Sequence, residues 1–408
     1  MKPLDRSLLQ HRGFLWYWCA RVASVLAYQM LAVAVGWQVY ALTQRAFDLG
    51  MIGLMQFLPV VLFSLPAGHL ADRYERRHLI LVCQIIEGLA MGMLATGTFL
   101  HWFDYRSILA MVFLITAARA FAHPTLVTLL PSLVPPALLP RAVASSASAG
   151  QSAMIVGPAI GGFLYVAGPG VVYGVSGLLC LVAAFAMWRL KTEQPPMHRE
   201  PATLRTVFAG ITFIRKQPVI LGAISLDLFA VLLGGATTLL PIFARDILHT
   251  GPWGLGLLRA APAVGALLMS AWLAHYPLTR RVGQIMFAAV AGFGVATLVF
   301  ALSNSFALSL IVLVVLGACD MISVVVRMAL VQLTTPNEML GRVNAVNTIF
   351  VSTSNQLGGF ESGVTAAWFG TVPAVLIGGI GTLVVVALWM WWFPALRQRQ
   401  RLESEVNV

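Results

Sequence analysis

The chain has 408 residues, of which 59% are hydrophobic and only 10% charged, and its mean hydropathy is +0.85. A water-soluble globular chain of this size carries far more ionisable surface, so a soluble enzyme or soluble binding domain is excluded and lipid is the expected solvent. The formal charge of +11 does not signal a nucleic-acid partner, because the basic residues sit at the ends of apolar runs with no aromatic-basic groove pattern.

Residues 1–12 carry Asp5 and His11 and lack the short apolar core and small-residue cleavage site of a signal peptide, so the first span is expected to be retained. A spanning helix needs roughly 20 apolar residues. Six runs of that kind are predicted at 14–42, 50–71, 78–100, 106–130, 141–167 and 170–190. A polar stretch from Lys191 to Gln217 with Pro195, Pro196 and Pro201 then reads as a cytoplasmic linker. Six more spans are predicted at 217–244, 252–275, 282–303, 305–332, 342–369 and 371–395, followed by a short tail to Val408. The expected fold is an all-α membrane protein of twelve transmembrane helices in two pseudo-symmetric six-helix bundles. Its parts are residues 1–190, a linker at 191–216, and residues 217–408.

Orientation follows from the basic residues. Nineteen Lys and Arg fall on the N-terminal side of the membrane and only Arg45, Arg106 and Arg245 on the other, which puts both termini in the cytoplasm. Two offsets reveal an internal repeat. A shift of 203 aligns Pro59 with Pro262 and Arg77 with Arg280; a shift of 201 aligns Pro135 with Pro336, Arg141 with Arg342, Gly157 with Gly358 and Gly162 with Gly363. Cys19, Cys83, Cys180 and Cys319 are far apart inside apolar runs, so they read as packing residues and neither a disulfide framework nor a metal site is expected. Trp16, Trp18, Trp389, Trp391 and Trp392 lie near span ends and are expected to form interfacial belts.

Between spans 2 and 3 the chain reads Gly68-His69-Leu70-Ala71-Asp72-Arg73-Tyr74-Glu75-Arg76-Arg77. This closely resembles the cytoplasmic signature of the major facilitator superfamily, with Glu75 at a position usually held by Gly. The resemblance extends over the whole chain and implies a transporter of the bacterial inner membrane. It also implies a conformational latch in which Asp72, beside Gly68, Arg73, Arg76 and Arg77, meets the start of span 11 near Arg342. An anion at a helix end facing another helix's N-terminus is favourable on dipole grounds alone. In span 5, Gly150, Gly157, Pro158, Gly161 and Gly162 form a smooth, kinked face for close helix packing. That pattern is similar to the motif of the superfamily's exporters. The stretches Leu70 to Arg77 and Thr335 to Asn344 resemble the subgroup of enterobactin-exporter-like and secretion-effector transporters.

Eight ionisable residues fall inside spans, where each costs roughly 2.5–3.5 kcal/mol to insert and is by default functional or paired. The cavity and substrate candidates are Arg21, Arg119 and Arg327; the proton-coupling candidates are Asp227 first, then Asp320 and Glu361. Glu87 and Arg259 complete the set, with Glu87 read as structural because span 3 is peripheral in the fold that the resemblance implies. Arg119 and Asp320 are equivalent at the 201 offset and are expected to pair with each other. Arg21 has an alternative, reaching back to the cytoplasmic surface.

These readings converge on a secondary transporter that exports a small amphipathic molecule, a siderophore-like metabolite or a drug, against protons and by alternating access. The alternatives are import of a nutrient and a non-transporting sensor or scaffold. A nucleotide-driven mechanism lacks a GxxxxGK[ST] loop, and a membrane enzyme lacks HExxH or GxSxG. The expected partners are the substrate, the proton and the lipid bilayer, with no cofactor, no metal and a monomeric chain.

Overall fold

The computed structural model describes residues 8, 10–191, 204–278 and 280–401. Among these, the first six long helices are Arg12–Thr43, Ala46–Arg73, Arg76–Phe99, Tyr105–Leu129, Leu139–Leu164 and Pro169–Arg189. A short helix, Leu204–Lys216, precedes span 7, which begins as Pro218–Leu233; spans 8 to 12 are Pro252–His275, Val282–Leu302, Phe306–Thr334, Asn337–Phe369 and Thr371–Trp392. Among the described residues, eleven segments are long and apolar enough to cross a membrane. The twelfth, Asn337–Phe369, has the length, and its Asn344, Asn347, Asn355 and Glu361 make it more polar than the rest.

Local chemistry sets the boundaries. Asp104 caps span 4, accepting the Ser107 backbone N–H at 2.9 Å and the Ser107 hydroxyl at 2.7 Å. Pro169, Pro218 and Pro252 occupy first helical positions, where a missing N–H costs nothing. Gly168 (φ 108°) and Gly370 (φ 92°) make the turns into spans 6 and 12, at equivalent places in the repeat and at φ values that disfavour a side chain.

The chain forms two compact units. Unit 1 comprises Met1–Thr43, Leu58–Ala202 and Thr250–Ala260; unit 2 comprises Gln44–Phe57, Thr203–His249 and Ala261–Val408. Each unit thus takes the first turns of one span from the other half of the sequence. In unit 2, Gly53 lies so close to span 11 that a Cβ would stand 2.7 Å from the Gln356 carbonyl. In unit 1, a Cβ on Gly256 would stand 2.5 Å from the Pro158 carbonyl of span 5. Gly53 and Gly256 are related by the same offset of 203 that aligns the prolines, so the repeat is one of packing as well as of sequence.

Unit 1 is cored at one end by Phe14, Tyr17, Ile80, Leu129 and Met187, and pinned at the other by Tyr173, which donates to Gln38 Oε1 at 2.5 Å. Unit 2 is cored by Leu226, Met286, Phe287, Val326 and Trp389. Trp389 departs from the expected belt. It is 8% exposed, donates to Ser225 Oγ at 2.9 Å and packs on Phe229, because a helix-interior tryptophan facing a hydroxyl satisfies its N–H inside the protein. Trp391 and Trp392 are exposed, as a belt requires.

Two further departures concern unit 2. Span 7, expected as one helix, breaks at Gly234-Gly235 and continues as short turns to Ile247. The break lets Gly235 press onto span 11, where a Cβ would meet the Gly358 carbonyl at 2.5 Å. The linker expected at 191–216 contains the helix Leu204–Lys216, whose Ile211 and Ile214 pack with Val343 and Val346 of span 11. Residues 192–203 of that linker lie outside the described residues.

Candidate functional site

Spans 1, 3 and 4 of unit 1 surround a small, partly open crevice lined by Arg21, Gln84, Glu87, Arg119 and His123. Glu87 is 2% exposed and sits halfway along span 3, about 16 Å from either end at 1.5 Å per residue. The Arg119 guanidinium lies over the Tyr28 ring, 4.0 Å from its centroid, a cation–π contact. Arg119 also lies in the field of Glu87, and Arg259, from the span 8 segment that belongs to this unit, interacts electrostatically with Tyr28. Arg21 donates to Tyr17 Oη at 3.3 Å and lines the crevice. Gln84 donates to Ser24 Oγ at 3.2 Å, while its Oε1 is buried with no partner.

The cluster in unit 2 has the opposite sign. Arg327 Nη1 pairs with Asp227 Oδ2 at 3.1 Å and donates to Asn347 Oδ1 at 3.1 Å, and Ser323 donates to the other oxygen of Asp227 at 3.3 Å. Asp227, Arg327, Asn347 and Ser323 are all buried. Asp320, halfway along span 10, is partly exposed and lies in the fields of both Asp227 and Arg327. Glu361 on span 11 accepts from Thr365 Oγ1 at 2.8 Å.

Within its own unit Arg119 contacts Tyr28 and lies in the field of Glu87, and Asp320 lies in the field of Arg327, two turns further along span 10. Sequence reasoning missed Tyr28, His123 and Asn347 and set Glu87 aside. A signal was present: Tyr17, Arg21, Ser24 and Tyr28 recur at helical spacing, as do Gln84 with Glu87, Arg119 with His123, and Asp320 with Ser323 and Arg327.

The glycines of span 5 form one packing face in unit 1. A Cβ would stand 3.4 Å from Arg21 Nε at Gly150, 2.7 Å from the Gln29 side chain at Gly157 and 2.8 Å from Met30 Cα at Gly161. At Gly162 it would stand 2.6 Å from the Pro252 carbonyl. Pro158 and these glycines thus bring spans 1 and 8 onto span 5, with Gly150 directly under a crevice arginine. At the signature between spans 2 and 3, Arg73 is exposed and Arg76 donates to the Thr128 carbonyl at 3.3 Å. Arg77 Nε is buried without a partner among the described residues, and Arg342 Nη1 lies 3.7 Å from Met339 Sδ. Gly68 has open space around it, and the side chain of Asp72 lies outside the described residues.

Residues 6–406 match the model of the transmembrane secretion effector family. The chain belongs to that family of the major facilitator superfamily and is a multi-pass membrane transporter. It is 28% identical over 404 residues to a protein named enterobactin exporter EntS from Citrobacter koseri, covering 97% of this chain and 95% of the relative. It is 27% identical to the protein of that name from Escherichia coli O81, covering 99% and 98%. Solved structures share the fold. A nucleoside transporter, NupG, superposes with a TM-score of 0.73 at 11% identity, over 93% of this chain and 100% of that one. An inward-facing, occupied bacterial homolog of the human lysosomal transporter Spinster gives 0.73 at 13%, over 96% and 97%.

Proposed function

We propose that this family member is a proton-coupled exporter of a small amphipathic molecule, siderophore-like or drug-like. It works by alternating access in the bacterial inner membrane, as a monomer with both termini in the cytoplasm. The observation that carries the coupling is the group Asp227–Arg327–Asp320 on spans 7 and 10, an ion pair with a second carboxylate in its field. Such a group has one negative charge in excess, and a membrane interior favours its neutralisation by a proton. Asp227 already has Arg327 and Ser323 as partners, so Asp320 carries the proton and Asp227 holds the arginine. Glu361 is the second candidate. Arg21 and Arg119, at the crevice of unit 1, serve the substrate.

Export as the direction is supported by the similarity over nearly the full chain to proteins named enterobactin exporters and by the span 5 glycine face. The latch between Asp72 and the start of span 11 at Arg342, with Arg73, Arg76 and Arg77 beside it, is the proposed stop that ends each half-cycle on the cytoplasmic side. The two halves, 1–190 and 217–408, are the moving bodies, and the helix at 204–216 travels with the second.

The test is untargeted mass spectrometry of cells and medium, comparing wild type with Asp320→Asn under iron-replete and iron-limited growth. A compound moved into the medium by the wild type alone is expected, and enrichment under iron limitation assigns it to the siderophore class. A compound moved into the cells by the wild type would overturn the direction.

A further inference from the structure

Glu87 is the one carboxylate at a crevice that also holds Arg21, Arg119 and His123, and it is 2% exposed. Among the described residues no arginine, lysine or histidine nitrogen lies within salt-bridge distance of it. Its polar contact is the Cys180 thiol at 3.9 Å. The nearest strong cation, Arg119, is held on the Tyr28 ring instead. A buried carboxylate without a direct cationic partner is strongly disfavoured as an anion. A protonated carboxyl in the same place is not.

We propose that Glu87 is a second proton-binding site of the transport cycle, switched by Arg119 moving between the Tyr28 ring and the Glu87 carboxylate. With Arg119 on Tyr28, Glu87 holds its proton. With Arg119 on Glu87, the O–H bond breaks, the proton passes to water in the crevice, and the guanidinium replaces its charge. Gln84 supports this path. It lies one turn before Glu87 at the same crevice, and its buried, unpartnered Oε1 is an acceptor suited to an ordered water.

The surroundings of Glu87 are accounted for element by element. Span 1 contributes Arg21 and Tyr28, span 4 contributes Arg119 and His123, span 6 contributes Cys180, and span 3 itself contributes Cys83. Arg259 acts on the site through Tyr28. Of these cations, Arg119 is the one that acts electrostatically on the Glu87 carboxylate, so it is the switch. Tyr28 is a positioning residue.

The proposal rests on reading the chain as a proton-coupled transporter, and its test needs no substrate. The full-length protein in liposomes is titrated with acid and base while infrared difference spectra follow the C=O stretch of protonated carboxyls. The wild type is expected to show a titrating band that Glu87→Gln removes, Asp320→Asn leaves in place and Arg119→Gln makes insensitive to pH. Tyr28→Leu, which frees the guanidinium to reach Glu87, weakens the band at a given pH, and Tyr28→Phe leaves it unchanged. Identical titrations of wild type and Glu87→Gln would overturn the proposal, as would a band in Arg119→Gln that titrates as in the wild type. If the band behaves as expected while no compound moves between cells and medium, the transport reading fails and the proton site stands. If a compound moves and Glu87→Gln leaves the band intact, the proton site alone fails.

Discussion

Units 1 and 2 solve the same electrostatic problem in opposite ways. Unit 1 sets Arg21 and Arg119 at the crevice of Glu87, adds Arg259 beside Tyr28, and rests the Arg119 guanidinium on the tyrosine ring. Unit 2 gathers Asp227 and Asp320 around Arg327 and secures the arginine with Asn347 and the aspartate with Ser323. The offset of 201 makes Arg119 and Asp320 equivalents, so the repeat preserved a charged position halfway along spans 4 and 10 and inverted its sign. The difference separates strength from function. Asp227 and Arg327 form a direct ion pair between spans 7 and 10, whereas neither Asp320 nor Glu87 has one among the described residues.

The comparison is broken most directly at the paired cluster. Asp227→Ala leaves Arg327 buried without its counter-charge and is expected to destabilise the protein by about 3–5 kcal/mol, read as a lowered melting temperature in detergent. Glu87→Gln, which removes no ion pair, is expected to leave the melting temperature near that of the wild type. Next is the span 5 face, where Gly161→Leu drives a side chain into Met30 Cα and is expected to cost about 1–3 kcal/mol and abolish transport. Gly92→Ala, with nothing within 4 Å of its Cβ, is the control and should change stability by no more than about 0.5 kcal/mol.

Tyr28→Leu sharpens the contrast at smaller amplitude. It removes a cation–π contact of about 0.5–2 kcal/mol, and Tyr28→Phe should restore most of it in the same melting assay. The smallest effect is one of pH. The Ser107 backbone N–H and hydroxyl hold the Asp104 carboxyl below the usual carboxylate range. Its capping contribution is therefore present above that range and lost as pH falls through the depressed value. Hydrogen exchange in the first turn of span 4 should rise at acid pH in the wild type and be high at all pH values in Asp104→Ala.

Much of this architecture was legible in the residues. Apolar run length marked the spans, the bias of Arg and Lys set an expected orientation, and the paired offsets revealed a repeat that the packing of Gly53 and Gly256 follows. The span 5 glycines were recognisable as a packing face, though not which helix each would meet. What stayed hidden depends on helix rotation. Arg119 could be read as needing a partner, but only three-dimensional packing brings Tyr28 under its guanidinium. Glu87 was set aside because its helix was expected to be peripheral, yet helical phase turns it toward the crevice beside Gln84. The break at Gly234-Gly235 was visible as a glycine pair, and its cause, the approach to Gly358, was not. The linker helix was masked by the prolines before it, although Ile211 and Ile214 carry a helical spacing.

The central claim is that substrate leaves against protons taken up at Asp320. Its most direct test uses everted membrane vesicles given an extract of the cells' own spent medium, with or without an imposed acid-inside gradient, and mass spectrometry of what accumulates inside. The account predicts accumulation in wild-type vesicles only when the gradient is present, no requirement for ATP, and none in Asp320→Asn at equal protein level. Equal accumulation with and without the gradient, or full accumulation in Asp320→Asn, would contradict it.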